Sequence, residues 1–297
     1  GFIDSAKSEA IDHILLTAQL KEQGSVGKIL VTGCLSQRYQ DEILKEMPEV
    51  DGVLGTGNYT EIVDAIERLL DNETVSEFAS IDTPEVESGR ILTTPEHYAF
   101  LKIAEGCDNR CAYCIIPYLR NKLLSLPLNV AAEESARLEQ EGYREIVVTG
   151  IEISSYGVDL PEKPSLLQLL ETICKSAPNT RIRLGSLEPR TVTEEWAREL
   201  SKYKNICPHF HLSLQSGCDK TLKDMGRRYN TARYLQAAEY LRMYFPNCAI
   251  TTDLIVGFPG ETEEDFEQSL EFLKLLKPAQ VHIFPYSRRE GTKAYSR

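Results

Sequence analysis

The chain has 297 residues, of which 42% are hydrophobic, enough to bury a sizeable core and to predict one large domain with a smaller one. Its net charge of −12 and isoelectric point near 5.1 argue against a protein that coats nucleic acid, because neutralising phosphates requires clustered lysine and arginine. No apolar run reaches the roughly 20 residues of a membrane-spanning helix, and no export signal is apparent, so we expect a cytoplasmic protein with no membrane contact and with reduced thiols.

The first elements along the chain predict part of a small α/β domain over residues 1–72. From Lys28 an apolar run ends in glycine, and apolar residues at helical spacing follow it as far as Pro48. A second run and a second helical pattern repeat this order. Residues 73–97 mix Thr, Ser, Pro and acidic residues without a sustained period, which predicts a linker or a peripheral hairpin.

Residues 98–297 show a repeating pattern of strands and helices. Six apolar runs alternate with amphipathic helical patterns, which is typical of a parallel sheet. The repetition favours a partial (βα)6 TIM-type barrel over two mononucleotide-binding halves. The runs are YAFLKIA, REIVVTG, RIRLGSL, HFHLSLQ, AITTDLIVG and AQVHIFPY.

Polar residues follow these runs, in the loops where the active sites of such barrels lie. The stretch GCDNRCAYC follows the first run, and GFPGE follows the fifth. Because the loops after parallel strands share one face, we expect these residues to form a site. The polar residues after the second, third and fourth runs are Glu152, Glu188, Gln215 and Ser216.

Three cysteines, Cys107, Cys111 and Cys114, lie in the first of these loops with the spacing C-x3-C-x2-C. Thiolates bind soft or borderline metals, so the loop indicates zinc, an iron–sulfur cluster or redox chemistry. A closed zinc site needs four ligands, and the closest histidine, His97, precedes the loop by ten residues. A cluster on three cysteines leaves one iron open to a small molecule. A zinc-binding structural protein is the alternative.

The loop CDNRCAYC resembles the C-x3-C-x-aromatic-C motif of radical S-adenosylmethionine (SAM) enzymes, and the strand–helix repetition is similar to their six-stranded partial barrel. The resemblance implies that the three cysteines hold a [4Fe-4S] cluster, whose open iron takes the amino and carboxyl groups of SAM. It also implies reductive cleavage of SAM to methionine and a 5′-deoxyadenosyl radical, with the electron supplied by a reducing partner.

The same resemblance implies further cofactor-binding positions. Tyr113, before the last cysteine, resembles the residue beside the SAM adenine. VTGIE occupies the place of a Gly-Gly-Glu motif that receives the SAM amino group, with Ile151 replacing the second glycine, which points to Gly150 and Glu152. LIVGFPGET is similar to a G-x-I-x-G-x-x-E element that packs on adenine; a simple strand-to-helix turn with an acid at the helix start is the alternative. Its matching residues are Gly257, Phe258 and Glu261.

Nearly the whole chain resembles the methylthiotransferases. GFIDSAKSEAID, VTGCLSQRY and VDGVLGTGNY resemble the branch that modifies an aspartate of a small-subunit ribosomal protein. TGIEISSYGVDL, SLEPR, CPHFHLSLQSGCDKTLKDMGRRY and YSRREGT resemble the branch that methylthiolates threonylcarbamoyladenosine in tRNA. Because the barrel holds the reacting centre, we expect a monomeric tRNA methylthiotransferase, with the ribosomal protein as the alternative partner.

Two departures from the family pattern stand out. The family's amino-terminal domain supplies three cysteines for a second [4Fe-4S] cluster, whereas only Cys34 matches here, so this chain cannot complete that cluster and a catalytically incomplete fragment is a further alternative. Family members also continue the cysteine loop with glycine and arginines, whereas this chain has Asn121, Leu124 and Leu126. We expect the loss of charge to weaken contacts with anionic groups.

Three remaining patterns have simple explanations. His209 and His211 are either a zinc pair or inward-facing barrel positions. The arginine pairs of the second half are a local basic face or solvated surface charge: Arg181/Arg183, Arg227/Arg228 and Arg288/Arg289. The dispersed cysteines are predicted to pack in the core: Cys174, Cys207, Cys218 and Cys248.

Overall fold

A computed structural model of the chain describes residues 4–81, 92–120 and 122–297. Residues 82–91 of the predicted linker and Asn121 therefore lie outside the described residues. The described chain divides into two compact units. The smaller contains residues 4–81, 114–120, 122 and 287–291, and the larger contains residues 92–113, 123–286 and 292–297.

The smaller unit is built on three short strands. Its elements are α1 (Asp4–Glu22), β1 (Leu30–Thr32), α2 (Cys34–Tyr39), α3 (Asp41–Glu46), β2 (Gly52–Leu54), α4 (Ile62–Leu70), β3 (Val75–Glu77) and α5 (Ile116–Leu119). The strands form a parallel sheet in the order β1-β2-β3, and Gly52 pairs with both Leu30 and Val75. The first residues of the predicted linker thus form a third strand instead of a connection.

Buried polar contacts fix the edges of this small sheet. The carboxylate of Asp51, one residue before β2, accepts hydrogen bonds from Lys21 Nζ at 2.6 Å and from the Ile29 amide at 2.7 Å. The Ser36 hydroxyl in α2 donates to the Leu54 carbonyl at 2.5 Å. Together these bonds join α1, β1, β2 and α2 around buried Val53.

The larger unit contains the six predicted runs as strands. They are β4 (Tyr98–Glu105), β6 (Glu145–Gly150), β7 and β8 (Arg181–Leu184 and Ser186–Leu187), β9 (His209–Leu212), β10 (Ala249–Val256) and β11 (Gln280–Pro285). The third run is divided at Gly185: β7 pairs with β6, and β8 pairs with β9. All these pairs are parallel, in the order β4-β6-β7 and β8-β9-β10-β11. The predicted partial barrel is confirmed as a curled, half-barrel sheet.

Helices follow the strands in the predicted alternation. They are α6 (Leu128–Gln140), α7 (Leu166–Ser176), α8 (Glu194–Leu200), α9 (Asp219–Asp224), α10 (Thr231–Tyr244) and α11 (Glu263–Leu276). Capping boxes define two of the starts, Ser165 with Gln168 at α7 and Thr262 with Asp265 at α11, where side chains satisfy amides that the first helical turn leaves unpaired. Among the described residues, no helix is long and apolar enough to cross a bilayer.

The core of the larger unit lies between the sheet and these helices. Phe210 on β9 and Tyr234 on α10 are fully buried, and the Tyr234 hydroxyl donates to the Leu212 carbonyl at 2.9 Å. The prediction that the dispersed cysteines pack in the core holds: Cys174, Cys207 and Cys218 are buried and Cys248 is half-buried. Burial raises the pKa of the Cys174 thiol to about 12, so it is inert at neutral pH.

The H-x-H pair lies among hydrogen-bonding neighbours on the strands. Nε2 of His211 is 3.1 Å from Asp253 Oδ2, and both His211 Nδ1 and His209 Nε2 lie within 3.2 Å of the Thr251 hydroxyl. Burial lowers the pKa of His209, which favours a neutral ring. Strand-to-strand hydrogen bonding therefore explains these residues without a metal.

The leucines after the cysteine loop have a structural role. Leu124 and Ser125 form a short strand, β5, antiparallel to the end of β4, and the Leu126 amide donates to the Ile103 carbonyl at 2.8 Å. Leu126 also packs against the main core. The charge-poor sequence at this point is therefore the sequence of an edge strand.

Candidate functional site

The predicted site residues follow the carboxyl ends of the strands of the larger unit. The cysteine loop begins directly after β4, Glu152 lies two residues beyond β6, and Glu188 follows β8. Gln215 follows β9, and Gly257 follows β10. Because the strands are parallel, these loops lie along one edge of the half-barrel, where a ligand site is expected.

The backbone of the cysteine loop is held by neighbouring segments. The Ala112 amide donates to the Met225 carbonyl, and the Ala294 amide donates to the Ala112 carbonyl, both at 2.8 Å. Cys107 and Cys111 belong to the larger unit, whereas Cys114 begins the segment grouped with the smaller one. All three are half-buried thiols, as a ligand-binding loop requires.

Two of these sulfurs accept hydrogen bonds. The Asn109 amide donates to Cys107 Sγ at 3.5 Å, and Arg227 Nη1 donates to Cys111 Sγ at 3.2 Å. Cysteine binds metal through its sulfur, and both contacts place an N–H donor beside a sulfur that the loop offers as a ligand.

A buried carboxylate, Glu188, joins the cysteine loop to two arginines. Its Oε1 accepts from Asn109 Nδ2 at 3.1 Å and from Arg227 Nη2 at 3.0 Å, and its Oε2 accepts from Arg190 Nε at 2.5 Å. The side chains of Glu188 and Arg227 are only 9% and 7% exposed. The network therefore pairs one carboxylate with two guanidinium groups, and the Glu188–Arg227 pair is largely shielded from water.

Arg227 keeps its positive charge in this environment. Burial alone acts to lower its pKa, but Tyr113, Tyr229, Cys111 and Glu188 outweigh burial and raise the pKa above its usual range. The Tyr229 hydroxyl accepts from Arg227 Nε at 3.0 Å and donates to the Ser213 carbonyl at 2.6 Å. Burial raises the pKa of Tyr229, so it remains a neutral phenol.

In the loop after β6, the Glu152 side chain accepts hydrogen bonds from the backbone of its own loop. Its two carboxylate oxygens accept from the amides of Ser154 at 2.7 Å and Ser155 at 3.1 Å, and Arg190 lies 4.0 Å away. Gly150 at the strand end is needed for close packing, because a Cβ there would lie 2.8 Å from the Ala104 carbonyl oxygen. These contacts shape a tight turn whose acid keeps further acceptor capacity.

An apolar cluster brings Tyr113 and Phe258 together. Phe258 is buried with Ala112 and Met225, and Tyr113 packs against this group. The Phe258 ring meets Tyr286 edge-to-face, with 5.5 Å between ring centroids. Two residues predicted to line adenine thus share one apolar surface beside the cysteine loop.

Glu261 organises the loop that carries Phe258. Its Oε2 accepts from the amides of Gly257 at 2.6 Å and Phe258 at 3.3 Å, and the Glu261 amide donates to the Phe258 carbonyl at 2.8 Å. Gly257 and Gly260 have positive φ values of 73° and 87°, which glycine adopts without strain. The carboxylate therefore closes the turn as well as preceding α11.

Gln215 and Ser216 have different surroundings, although they are adjacent. Gln215 is half-buried with φ 71°, and its backbone pairs with β10 through Asp253 and Ile255. Ser216 is fully buried, and its hydroxyl contacts Ser269 of α11 at 3.2 Å and the Cys218 amide at 3.2 Å. The Ser216 hydroxyl faces α11, so its assignment to a cofactor site stays a prediction that these contacts do not support.

The three thiols of the loop are soft donors of the kind that both zinc and iron–sulfur clusters take. Across residues 4–81, 92–120 and 122–297, no three His, Cys, Asp or Glu side chains are grouped so that they could hold one metal ion. A zinc site requires ligands that converge at about 2.0 to 2.3 Å on one atom. In an iron–sulfur cluster, each thiolate instead binds a different iron, so the ligands can be farther apart.

Cys34 is the remaining predicted ligand. It is half-buried at the first position of α2, after Gly33, in the smaller unit. Its assignment to a second cluster stays a prediction.

Sequence reasoning missed the polar partners of the cysteine loop. Arg227 appeared only as half of an arginine pair, and Asn109 and Arg190 were not considered. Arg227 lies in MGRRY, directly after α9, and its local sequence carries no signal of a sulfur contact. Its contact with Cys111 spans 116 positions, which no local pattern reveals.

Known protein families match both parts of the chain. The radical SAM superfamily matches residues 101–273, and an uncharacterized protein family, UPF0004, matches residues 1–55. The chain is 40% identical over 294 residues to the ribosomal protein uS12 methylthiotransferase RimO of Lachnoclostridium phytofermentans, and 40% identical over 296 residues to that of Thermoanaerobacter sp.. Each alignment covers 99% of this chain and 67% of the relative, so the chain spans about two-thirds of the length of these relatives.

Solved structures share the fold at low sequence identity. The radical SAM methyltransferase TsrM from Kitasatospora setae, with tryptophan and a SAM analogue, gives a TM-score of 0.71 at 12% identity, covering 95% of this chain and 60% of that one. The cobalamin-dependent SAM radical enzyme OxsB gives 0.61 at 16% identity, covering 97% of this chain and 44% of that one. These likenesses establish the architecture.

Proposed function

The chain belongs to the radical SAM methylthiotransferases, and from that membership we propose that it installs a methylthio group on an aspartate of ribosomal protein uS12. The family identifies it as a transferase whose cofactors are a [4Fe-4S] cluster and SAM. The relatives named as uS12 methylthiotransferases support this substrate, since they align with 99% of the chain.

The tRNA substrate expected from the barrel motifs has no such support. The alignments to uS12 methylthiotransferases run through the barrel as well as the smaller unit. Glu188 in SLEPR is bonded to the cysteine loop, and Ser216 in LSLQSGC is buried against α11. One segment therefore contacts the cysteine loop and the other packs in the core. These contacts give no reason to prefer an RNA over a protein substrate.

The donor set of the cysteine loop fits an iron–sulfur cluster. We assign Cys107, Cys111 and Cys114 as its ligands, because three thiols in one short loop offer soft donors and two of their sulfurs accept N–H bonds. When bound, the cluster supplies the electron that cleaves SAM reductively.

The chain's own residues would bind and orient SAM. Tyr113, which packs against the cluster of buried Phe258, offers an apolar surface for the adenine, and the Gly150 turn lets the ligand approach the backbone closely. Glu152 has lone pairs left to accept from the SAM amino group after its two amide contacts. Glu261 keeps the Phe258 loop in a single conformation, which lowers the entropy that binding must overcome.

The observation that carries the proposal is the position of the cysteine loop at the carboxyl end of the first barrel strand, with Cys111 bonded to a buried cation. The test is 5′-deoxyadenosine release from SAM by the anaerobically reconstituted, reduced chain. We expect release by the wild type and by Cys207→Ala, a buried cysteine outside the loop, and none by Cys111→Ala. Equal release by Cys111→Ala would overturn the ligand assignment.

The substrate is tested with a protein of the full length of these relatives, because this chain offers only Cys34 of the three cysteines that the second cluster needs. We expect 5′-deoxyadenosine release to increase when uS12 is added, and to remain unchanged with tRNA, with the mass gain of one methylthio group on uS12 alone. A gain on tRNA, or stimulation by tRNA alone, would restore the RNA substrate. Because uS12 is a ribosomal component and the thiols are reduced, we place the reaction in the cytoplasm.

A further inference from the structure

The geometry points to Arg227 as a positioning residue for the cluster, whose guanidinium donates to the Cys111 sulfur, fixes this ligand and raises the reduction potential of the cluster. The inference rests on the proposed function, since it takes Cys111 as a cluster ligand.

All three nitrogens of the guanidinium have a defined partner. Nη1 contacts Cys111 Sγ at 3.2 Å, Nη2 contacts Glu188 Oε1 at 3.0 Å, and Nε contacts the Tyr229 hydroxyl at 3.0 Å. The guanidinium carbon also lies 4.9 Å from the centre of the Tyr229 ring. With two nitrogens held by Glu188 and Tyr229, the third is directed at the sulfur, so the contact does not depend on the sulfur to orient the arginine.

The backbone brings the arginine to the loop independently of its side chain. Gly226, with φ 76°, carries the chain from α9 to Arg227. A Cβ on Gly226 would lie 3.7 Å from the Ala112 amide nitrogen and 4.0 Å from Cys111 Cα. The Met225 carbonyl accepts from the Ala112 amide at 2.8 Å. The turn therefore lies directly against the loop.

A permanent cation at this place has a predictable effect. Hydrogen bonds to the sulfurs and nearby positive charge stabilise the reduced, more negative state of an iron–sulfur cluster, and so raise its potential. Arg227 is 7% exposed, so water screens its charge weakly. Glu188 acts in the opposite direction, which gives two variants with opposite expected signs.

The experiment is an EPR-monitored redox titration of the reconstituted chain without SAM or substrate. In Arg227→Met we expect the midpoint potential to fall by about 59 mV for one electron. At the wild-type midpoint, the ratio of oxidised to reduced cluster then rises about tenfold. We expect Glu188→Gln to shift the midpoint upward. The matched control is Arg137→Met, which removes a half-exposed arginine that pairs with Glu134 and Glu141. We expect it to leave the midpoint unchanged.

A folded Arg227→Met variant whose midpoint equals that of the wild type overturns the inference while the proposed function stands. If that variant does not fold by circular dichroism, Arg227→Gln decides: it keeps N–H donors but loses the positive charge, and a midpoint equal to that of the wild type again contradicts the role. Lower iron content in a folded Arg227→Met variant supports the positioning part. A wild-type chain that binds no cluster overturns the proposed function along with the inference.

Discussion

Removing the carboxylate of Glu188 tests whether the buried charge network holds the site together. The substitution Glu188→Ala leaves three donors without an acceptor: Asn109 Nδ2, Arg190 Nε and Arg227 Nη2. Arg190 is 34% exposed and can turn towards water, whereas Arg227 is 7% exposed and cannot. The cost is therefore dominated by one buried guanidinium that has lost its counter-ion.

Breaking such a pair from one side costs about 3 to 5 kcal/mol, whereas an exposed ion pair contributes about 0 to 1 kcal/mol. The assay is urea unfolding of the metal-free chain under reducing conditions, monitored through Trp196. The matched control is Glu271→Ala on α11, whose partner Lys274 is also exposed. Adding Arg227→Met to Glu188→Ala removes both charges, so we expect the double variant to recover about 1 kcal/mol or more of the loss. A Glu188→Ala variant no less stable than Glu271→Ala, or a double variant that simply adds the two losses, would refute the reasoning.

Three further predictions concern packing, pH and cofactor binding. Gly217→Ala places a Cβ 2.7 Å from Ser269 Cα and 2.8 Å from Phe272 Cβ, so we expect a loss of about 1 to 3 kcal/mol in urea unfolding, with Gly27→Ala, in open space, as the neutral control. The hydrogen bond from Arg183 lowers the pKa of Glu145 below its ordinary 4.5; the stabilisation is therefore fully present above that pH and is lost as the pH falls towards the folded-state pKa. Glu145→Gln should thus be less stable than the wild type near pH ~7 and equal to it near pH ~2, and a constant difference across this range would contradict the assignment. Glu261→Gln weakens acceptance from the Gly257 and Phe258 amides, so we expect about tenfold weaker SAM binding by calorimetry of the reconstituted chain, with Glu264→Gln as control; unchanged affinity would leave Glu261 as a helix-start acid only.

The architecture of the larger unit could be predicted because its signals are local. Each of the six runs carries its own apolar pattern, and the starts of α7, α8, α10 and α11 carry capping side chains such as Thr262 with Asp265. The break at Gly185 and the strand β5 could not be predicted. Both depend on which neighbour a strand pairs with, and two-residue strands such as Leu124–Ser125 have no periodicity to detect.

The same distinction between local signals and long-range contacts applies to the candidate site. The cysteines lie within one short motif whose spacing predicts a metal site, and the glycines were predicted from short motifs that resemble those of a known family. The contacts of Ser216 could not be predicted, because adjacent residues after a strand can face opposite sides of the sheet, and here Ser269 provides the partner on the helical side. Arg227 was missed because its importance comes from a sulfur and a carboxylate on two other loops.

The preference for an RNA substrate, which the comparisons do not support, has a physical origin as well. The barrel was given more weight because it holds the reacting centre, but its most distinctive segments contact the cysteine loop and the core. Glu188 bonds to Asn109 and Arg227, and Tyr229 of GRRY bonds to Arg227 and the β9 carbonyls. Residues with these contacts serve the cleavage of SAM, whatever molecule receives the radical. A motif that stabilises the cofactor site therefore identifies the reaction class, and substrate choice must depend on residues whose side chains are left free to face the substrate.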